Sequence, residues 1–80
     1  MSELEIFENL KKIFSIVMHT DNNFEKEPSE IYLKDLGVNS IGLVYFSIAI
    51  EETFKIDMSD VTFTTFRNVQ DVIDYIKERV

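Results

Sequence analysis

The stretch from Ile41 to Ile50 decides what this chain can become. It carries no charge, and only Gly42 and Ser47 interrupt its apolar side chains. Asn39-Ser40 precede it, both among the best residues for capping a helix start, and Glu51-Glu52 follow it, so a helix is expected from Ser40 to Phe54. A helix apolar nearly all round either sits at the centre of its domain or turns a bare face toward something else. A chain of 80 residues buries only about 60% of the surface its unfolded form exposes, which makes full enclosure difficult. Val44, Ile48 and Phe54 fit an inward face. An exposed apolar strip drawn from Ile41, Tyr45 and Ile48 is expected as a contact surface.

The flanking segments supply what packs against that helix. Ser2 and Glu5 stand in capping-box spacing, and Leu4, Phe7, Leu10, Phe14 and Val17 recur every three or four residues, with Ile6, Ile13 and Met18 widening the stripe. This predicts a first helix from Ser2 to about His19. Thr20 to Asp35 is a long connection holding Pro28 and several turn residues; its length implies that it is tied down, with Phe24, Ile31, Tyr32, Leu33 and Leu36 as anchors. A helical turn is expected within Ile31 to Leu36, with Gly37 permitting the reversal after it. Ser59 to Phe66 predicts a brief third helix, short because of Thr62, Thr64 and Thr65. Asn68 caps a last helix whose core stripe is Val69, Val72, Ile73, Ile76 and Val80. With two Gly, one Pro and 45% hydrophobic residues, the expected fold is all-α: a small four-helix bundle with a short third helix and a long loop between helices 1 and 2, in one domain over residues 1–80.

Several kinds of chemistry have no residues to support them. The chain has no Cys and one His, so thiolate nucleophiles, disulfides and the usual zinc sites are excluded. His19 falls at the expected end of the first helix, where an imidazole commonly complements the helix dipole. There is no Gly-rich phosphate loop, and no catalytic or metal-ligating constellation is expected. The formal net charge of −7 repels nucleic acid and anionic lipid and favours basic protein partners. The same acidity also serves to keep a small domain soluble. No secretory leader and no run long enough for a bilayer is legible, so a cytoplasmic monomer without membrane insertion is expected.

Ser40 is the one side chain with a chemical opening. As a residue of Asn39-Ser40 it is explained by helix capping alone. If Asn39 is the cap, Ser40 lies in the first turn with its hydroxyl toward solvent, and an anionic group there meets free N–H groups and the positive end of the dipole. Ile41 beside it offers an apolar hold.

Leu36-Gly37-Val38-Asn39-Ser40-Ile41 resembles the attachment motif of the acyl and peptidyl carrier proteins. The likeness extends through Ala49-Ile50-Glu51-Glu52-Thr53-Phe54-Lys55-Ile56 and Val69-Gln70-Asp71-Val72-Ile73-Asp74-Tyr75-Ile76 without a gap from about Asp35 to Ile76. The resemblance implies a four-helix carrier without its own catalysis. Its Ser40, flanked by Asn39 and Ile41, would receive 4′-phosphopantetheine from coenzyme A through a phosphopantetheinyl transferase. Acyl or aminoacyl groups would ride as thioesters on the imported thiol, in fatty-acid-like, polyketide or nonribosomal-peptide biosynthesis. It further implies docking of loading and processing enzymes with basic patches on Ile41, Ile48, Glu51, Glu52 and Met58, to which the apolar strip adds Tyr45. Glu51→Lys with Glu52→Lys is then expected to weaken docking while leaving the fold intact. Asn39 stands where the family commonly has Asp, keeping the cap but removing a charge. Gly42, Leu43 and Tyr45 replace polar or acidic residues of fatty-acid carriers, which points to a specialised pathway. The alternative is an unmodified interaction module with the same fold, binding a partner through the second helix.

Overall fold

A computed structural model describes residues 2–18, 26–62 and 65–80. His19 and Phe24 lie outside the described residues. Three α-helices are present among them: α1 (Glu3–Met18), α2 (Ser40–Phe54) and α3 (Val69–Arg79), with 3-10 turns at Pro28–Glu30 and Leu33–Leu36. No strand occurs among the described residues, and the fold is all-helical.

Helix α1 starts where the Ser2 hydroxyl accepts the Glu5 N–H at 3.2 Å and approaches the Glu5 carboxylate at 3.4 Å. Its inward face is Ile6, Leu10, Ile13 and Phe14, all buried, with Phe7 and Val17 at the margins. Leu4, expected in the core, is 68% exposed. The cause is angular: Glu3 points at α3, pairing with Lys77 at 3.7 Å and Gln70 at 3.4 Å. One residue further turns the side chain by roughly 100°, away from that contact.

Helix α2 buries Leu43, Phe46, Ile50 and Phe54, with the Phe46 ring stacked on Phe14 at a centroid distance of 4.5 Å. Val44 and Ile48, placed inward by the sequence, are 57% and 47% exposed. The helix carries two apolar seams at helical spacing, and the seam that takes the core holds both of its phenylalanines. Each fully buried side chain of this size contributes about 1.5–3 kcal/mol through the water it leaves. Lys55 ends the helix in the left-handed region (φ 58°), its N–H donating to the Glu51 carbonyl at 2.9 Å.

The described part of the connection before α2 is tied down, although Tyr32, one of its expected anchors, is exposed. Ile31 and Leu33 are buried, and Gly37 closes the second 3-10 turn at φ 80°. Its backbone is stitched to the start of α3: Leu33 N–H donates to the Arg67 carbonyl at 3.1 Å and Val69 N–H to the Ile31 carbonyl at 2.9 Å. Asn68 reaches the Ser29 carbonyl at 3.2 Å, and Tyr32 faces Asn68 as an isolated antiparallel bridge.

The short third helix expected from Ser59 to Phe66 is not seen among the described residues there, and Phe63 and Thr64 lie outside them. Local side-chain bonds compete with helical ones: Asp57 accepts the Ser59 N–H at 2.9 Å, and the Thr65 hydroxyl accepts the Thr62 N–H at 2.8 Å. Side chains that offer the backbone such partners disfavour continuous helix.

Helix α3 is capped twice, Asn68 accepting the Asp71 N–H at 2.9 Å and Asp71 accepting the Arg67 N–H at 3.0 Å. Val69, Val72, Ile73 and Ile76 are buried. Val80, expected in the same stripe, is 52% exposed because it lies past the last helical residue.

Candidate functional site

Asn39 is the N-cap of α2: its side-chain oxygen accepts the Gly42 N–H at 2.7 Å while its carbonyl accepts the Leu43 N–H at 2.8 Å. The cap leaves Ser40 as the first helical residue, exposed, its hydroxyl without a hydrogen-bond partner among the described residues. The N–H groups of Ser40 and Ile41 have no partner there either. Two free donors and the positive end of a 15-residue helix therefore surround one free hydroxyl, a setting that suits a phosphate ester. Among the described residues no group of His, Asp and Glu could hold a metal ion.

A groove of about 450 Å³ runs from Ser40 along α2 to Glu51, roughly 16 Å at the helical rise. Leu43, Val44 and Ile48 form one wall, and Met58 and Val61 the other. A flexible arm anchored at Ser40 would find an apolar path here, so the residues present fit such a group.

The outer face of α2 displays Ile41 at 67%, Tyr45 at 62% and Ile48 at 47% exposure, together with Val44. These four follow the spacing i, i+3, i+4, i+7, one continuous helical seam. Val44 was missed as a surface residue because the inner seam Leu43, Phe46, Ile50 has the same periodicity.

The acidic positions separate. Glu52 is exposed, whereas half-buried Glu51 accepts the Met58 N–H at 2.8 Å and so holds the loop after α2. Glu51→Lys would set a cation against that N–H, so the paired charge reversal at Glu51 and Glu52 is expected to cost stability as well as charge. Met58 is only 3% exposed; its side chain fills the core under the loop and shows only an edge at the groove wall. Nearby, the Ser59 N–H holds the Asp57 carboxyl below the ordinary value of 3.8. Asp60 accepts the Tyr75 hydroxyl, and Arg79 lies over the Tyr75 ring at 3.5 Å. Burial, then the bond to Asp60, raises the Tyr75 hydroxyl above 10.0.

A family model described as the phosphopantetheine attachment site matches residues 10–76. The chain belongs to this phosphopantetheine-attachment family, a class of carriers rather than catalysts. Its relatives are acyl carrier proteins. It is 37% identical over 75 residues to the acyl carrier protein of Phytoplasma mali (strain AT), covering 94% of this chain and 88% of that one. It is 32% identical over 80 residues to that of Guillardia theta, covering 100% and 98%, and 30% identical over 74 residues to that of Campylobacter lari, covering 92% and 95%. No solved structure gives a significant match. Among the described residues no helix is long and apolar enough to cross a membrane.

Proposed function

We propose that the protein is an acyl carrier whose Ser40 hydroxyl receives 4′-phosphopantetheine from coenzyme A. The observation that carries this reading is the unpartnered Ser40 hydroxyl beside two unpartnered N–H groups at the start of α2. When bound, the group supplies the thiol that a chain without Cys lacks, and acyl or aminoacyl cargo is held there as a thioester. Asn39 fixes the turn that presents Ser40, the Ser40 and Ile41 N–H groups face the phosphate, and Ile41 gives the modifying enzyme an apolar hold. The seam Ile41, Val44, Tyr45, Ile48, edged by Glu52, is the surface on which a transferase and loading or processing enzymes with basic patches dock. Net charge of −7 steers such partners toward it. The uncharged first turns of α2 favour a dedicated cytoplasmic carrier, working as a monomer in fatty-acid-like, polyketide or nonribosomal-peptide biosynthesis, over the general fatty-acid one.

The test is intact mass after incubation with coenzyme A and a broad-specificity phosphopantetheinyl transferase. The expected result is a gain of one phosphopantetheine that Ser40→Ala abolishes. Neutral Asn39 favours a second reading, an unmodified module that binds a partner through α2; an unchanged mass with several transferases establishes that one instead. Failure to replace a housekeeping fatty-acid carrier in cells is the expected outcome for a dedicated carrier, and full replacement refutes it.

A further inference from the structure

The exposed seam of α2 ends in groups that complement each other. Glu52 lies three helical turns after Ile41, so it continues the line of Ile41, Val44, Tyr45 and Ile48 on the same face. It is exposed and has no ion pair among the described residues. At the opposite end of the seam stand the N–H groups of Ser40 and Ile41, also without partners there. The helix has no acidic side chain in its first turn and no basic one in its last, the reverse of what its own dipole favours. Each end lacks what the other end holds.

A second copy, set antiparallel, supplies both. A two-fold axis between Val44 and Tyr45 would set Ile41 against the partner's Ile48 and Val44 against the partner's Tyr45, which makes the seam its own complement. The same axis carries the partner's Glu52 to the start of α2, where the free N–H groups point, and opposes the two helix dipoles. A parallel pair would lay one Glu52 against the other. We propose that the unmodified chain forms a weak two-fold pair through this face of α2, the Glu52 of each copy meeting the N-terminus of the other copy's helix.

The size of the face makes the pair reversible. The exposed parts of the four apolar side chains come to roughly 300 Å² per copy. A pair therefore removes about 600 Å² of apolar surface, short of the roughly 1,200 Å² at which stable complexes begin. Net charge of −7 on each copy adds a repulsion that salt screens. The expected Kd is about 0.1 mM. The monomer remains the working form, and the pair is a resting form that covers the docking face until an enzyme displaces it. This inference concerns the bare chain and stands whether or not Ser40 receives the arm.

Sedimentation velocity on the unmodified full chain, from about 10 µM to about 1 mM in about 0.15 M salt, measures the pairing. The expected result is a concentration-dependent rise from monomer to dimer mass, with amide shifts confined to the outer face of α2. Tyr45→Glu, at an exposed position, should abolish the rise, and circular dichroism checks that the variant folds. Glu52→Gln should weaken pairing about fivefold; a general charge effect would do the opposite, because the substitution lowers the repulsion between copies. Since the chain has no Cys, orientation is read by mixing isotope-labelled Ile41→Cys with unlabelled Ile48→Cys under mild oxidation, and disulfides between the unlike chains should predominate. A chain monomeric throughout that range, pairing that Tyr45→Glu leaves intact, tightening by Glu52→Gln, or an excess of disulfides between like chains would each overturn the proposal.

Discussion

Replacing Asn39 separates its structural duty from its chemical one. In Asn39→Ala the Gly42 N–H loses the acceptor it now meets at 2.7 Å. Loss of an N-cap side chain costs about 0.5–2 kcal/mol, and because this bond is exposed, water replaces part of it, leaving about 1 kcal/mol. For a domain of 60–100 residues that lowers Tm by roughly 4–8 °C. Asn39→Asp keeps the acceptor and adds an anion at the positive end of α2, a gain of about 0.3–1 kcal/mol. Self-repulsion within a chain of net charge −7 offsets part of that gain, and added salt weakens both terms. The expected order of stability is therefore Asp at or slightly above Asn, and Ala below both. Urea denaturation followed by circular dichroism measures this as shifts in midpoint at constant slope, and hydrogen exchange of the Gly42 amide reports the bond itself. Ala equal to Asn in both measurements would refute the assignment of Asn39 as the cap. Transferase kinetics on the same variants then complete the separation: if the cap positions Ser40, Asn39→Ala slows loading while Asn39→Asp does not.

Phe14→Ala removes one ring of the stacked pair at the α1–α2 contact; a loss of about 3–5 kcal/mol is expected, against a total of roughly 4–12 kcal/mol for a chain of this length. A denaturation midpoint close to wild type would contradict the central place given to that pair. Glu51→Ala should cost about 1 kcal/mol by releasing the Met58 N–H and speed exchange of that amide, whereas Glu52→Ala should stay within about 0.5 kcal/mol; equal effects would remove the distinction between the two glutamates. The lowered Asp57 carboxyl makes the folded state bind fewer protons than the unfolded one, so its contribution is present above pH 3.8 and is lost as pH falls through the lower folded value. Tyr75 works in the opposite direction: its raised hydroxyl stabilises the fold below pH 10.0, and that contribution is lost as pH rises through the folded value. Tyr75→Phe should flatten the alkaline limb in denaturation curves, and an unchanged limb would assign it elsewhere.

Capping signals and gross periodicity were legible from the residues alone. Asn39 and Asn68 stand at the starts of α2 and α3, and α2 spans Ser40–Phe54 as its flanks imply. Orientation was less legible for a specific reason. On α2 the inner seam through Leu43, Phe46 and Ile50 and the outer seam through Ile41, Val44, Tyr45 and Ile48 are both apolar and both helical in spacing, so periodicity distinguishes two faces without saying which one meets α1. Leu4 and Val80 belong to stripes by spacing but lie at helix ends, where covering depends on neighbours distant in sequence. Met58 and Glu51 illustrate the same limit: only the fold shows that the glutamate grips the loop that buries the methionine. The bridge between Tyr32 and Asn68 carried no local signal either, since it joins segments distant in sequence.

That bridge has a further consequence in the order of folding. It ties chain segments 36 positions apart, closing a loop that contains the whole of α2, at an entropic cost of about 3 kcal/mol. Contacts on α2 must repay that cost, so closure is expected late, after α2 has packed on α1. The amides of Leu33 and Val69, whose bonds form the closure, should then exchange together and faster than the amides inside α2. Helix α2 is in this sense hung within a clasp, able to remain formed while the clasp opens.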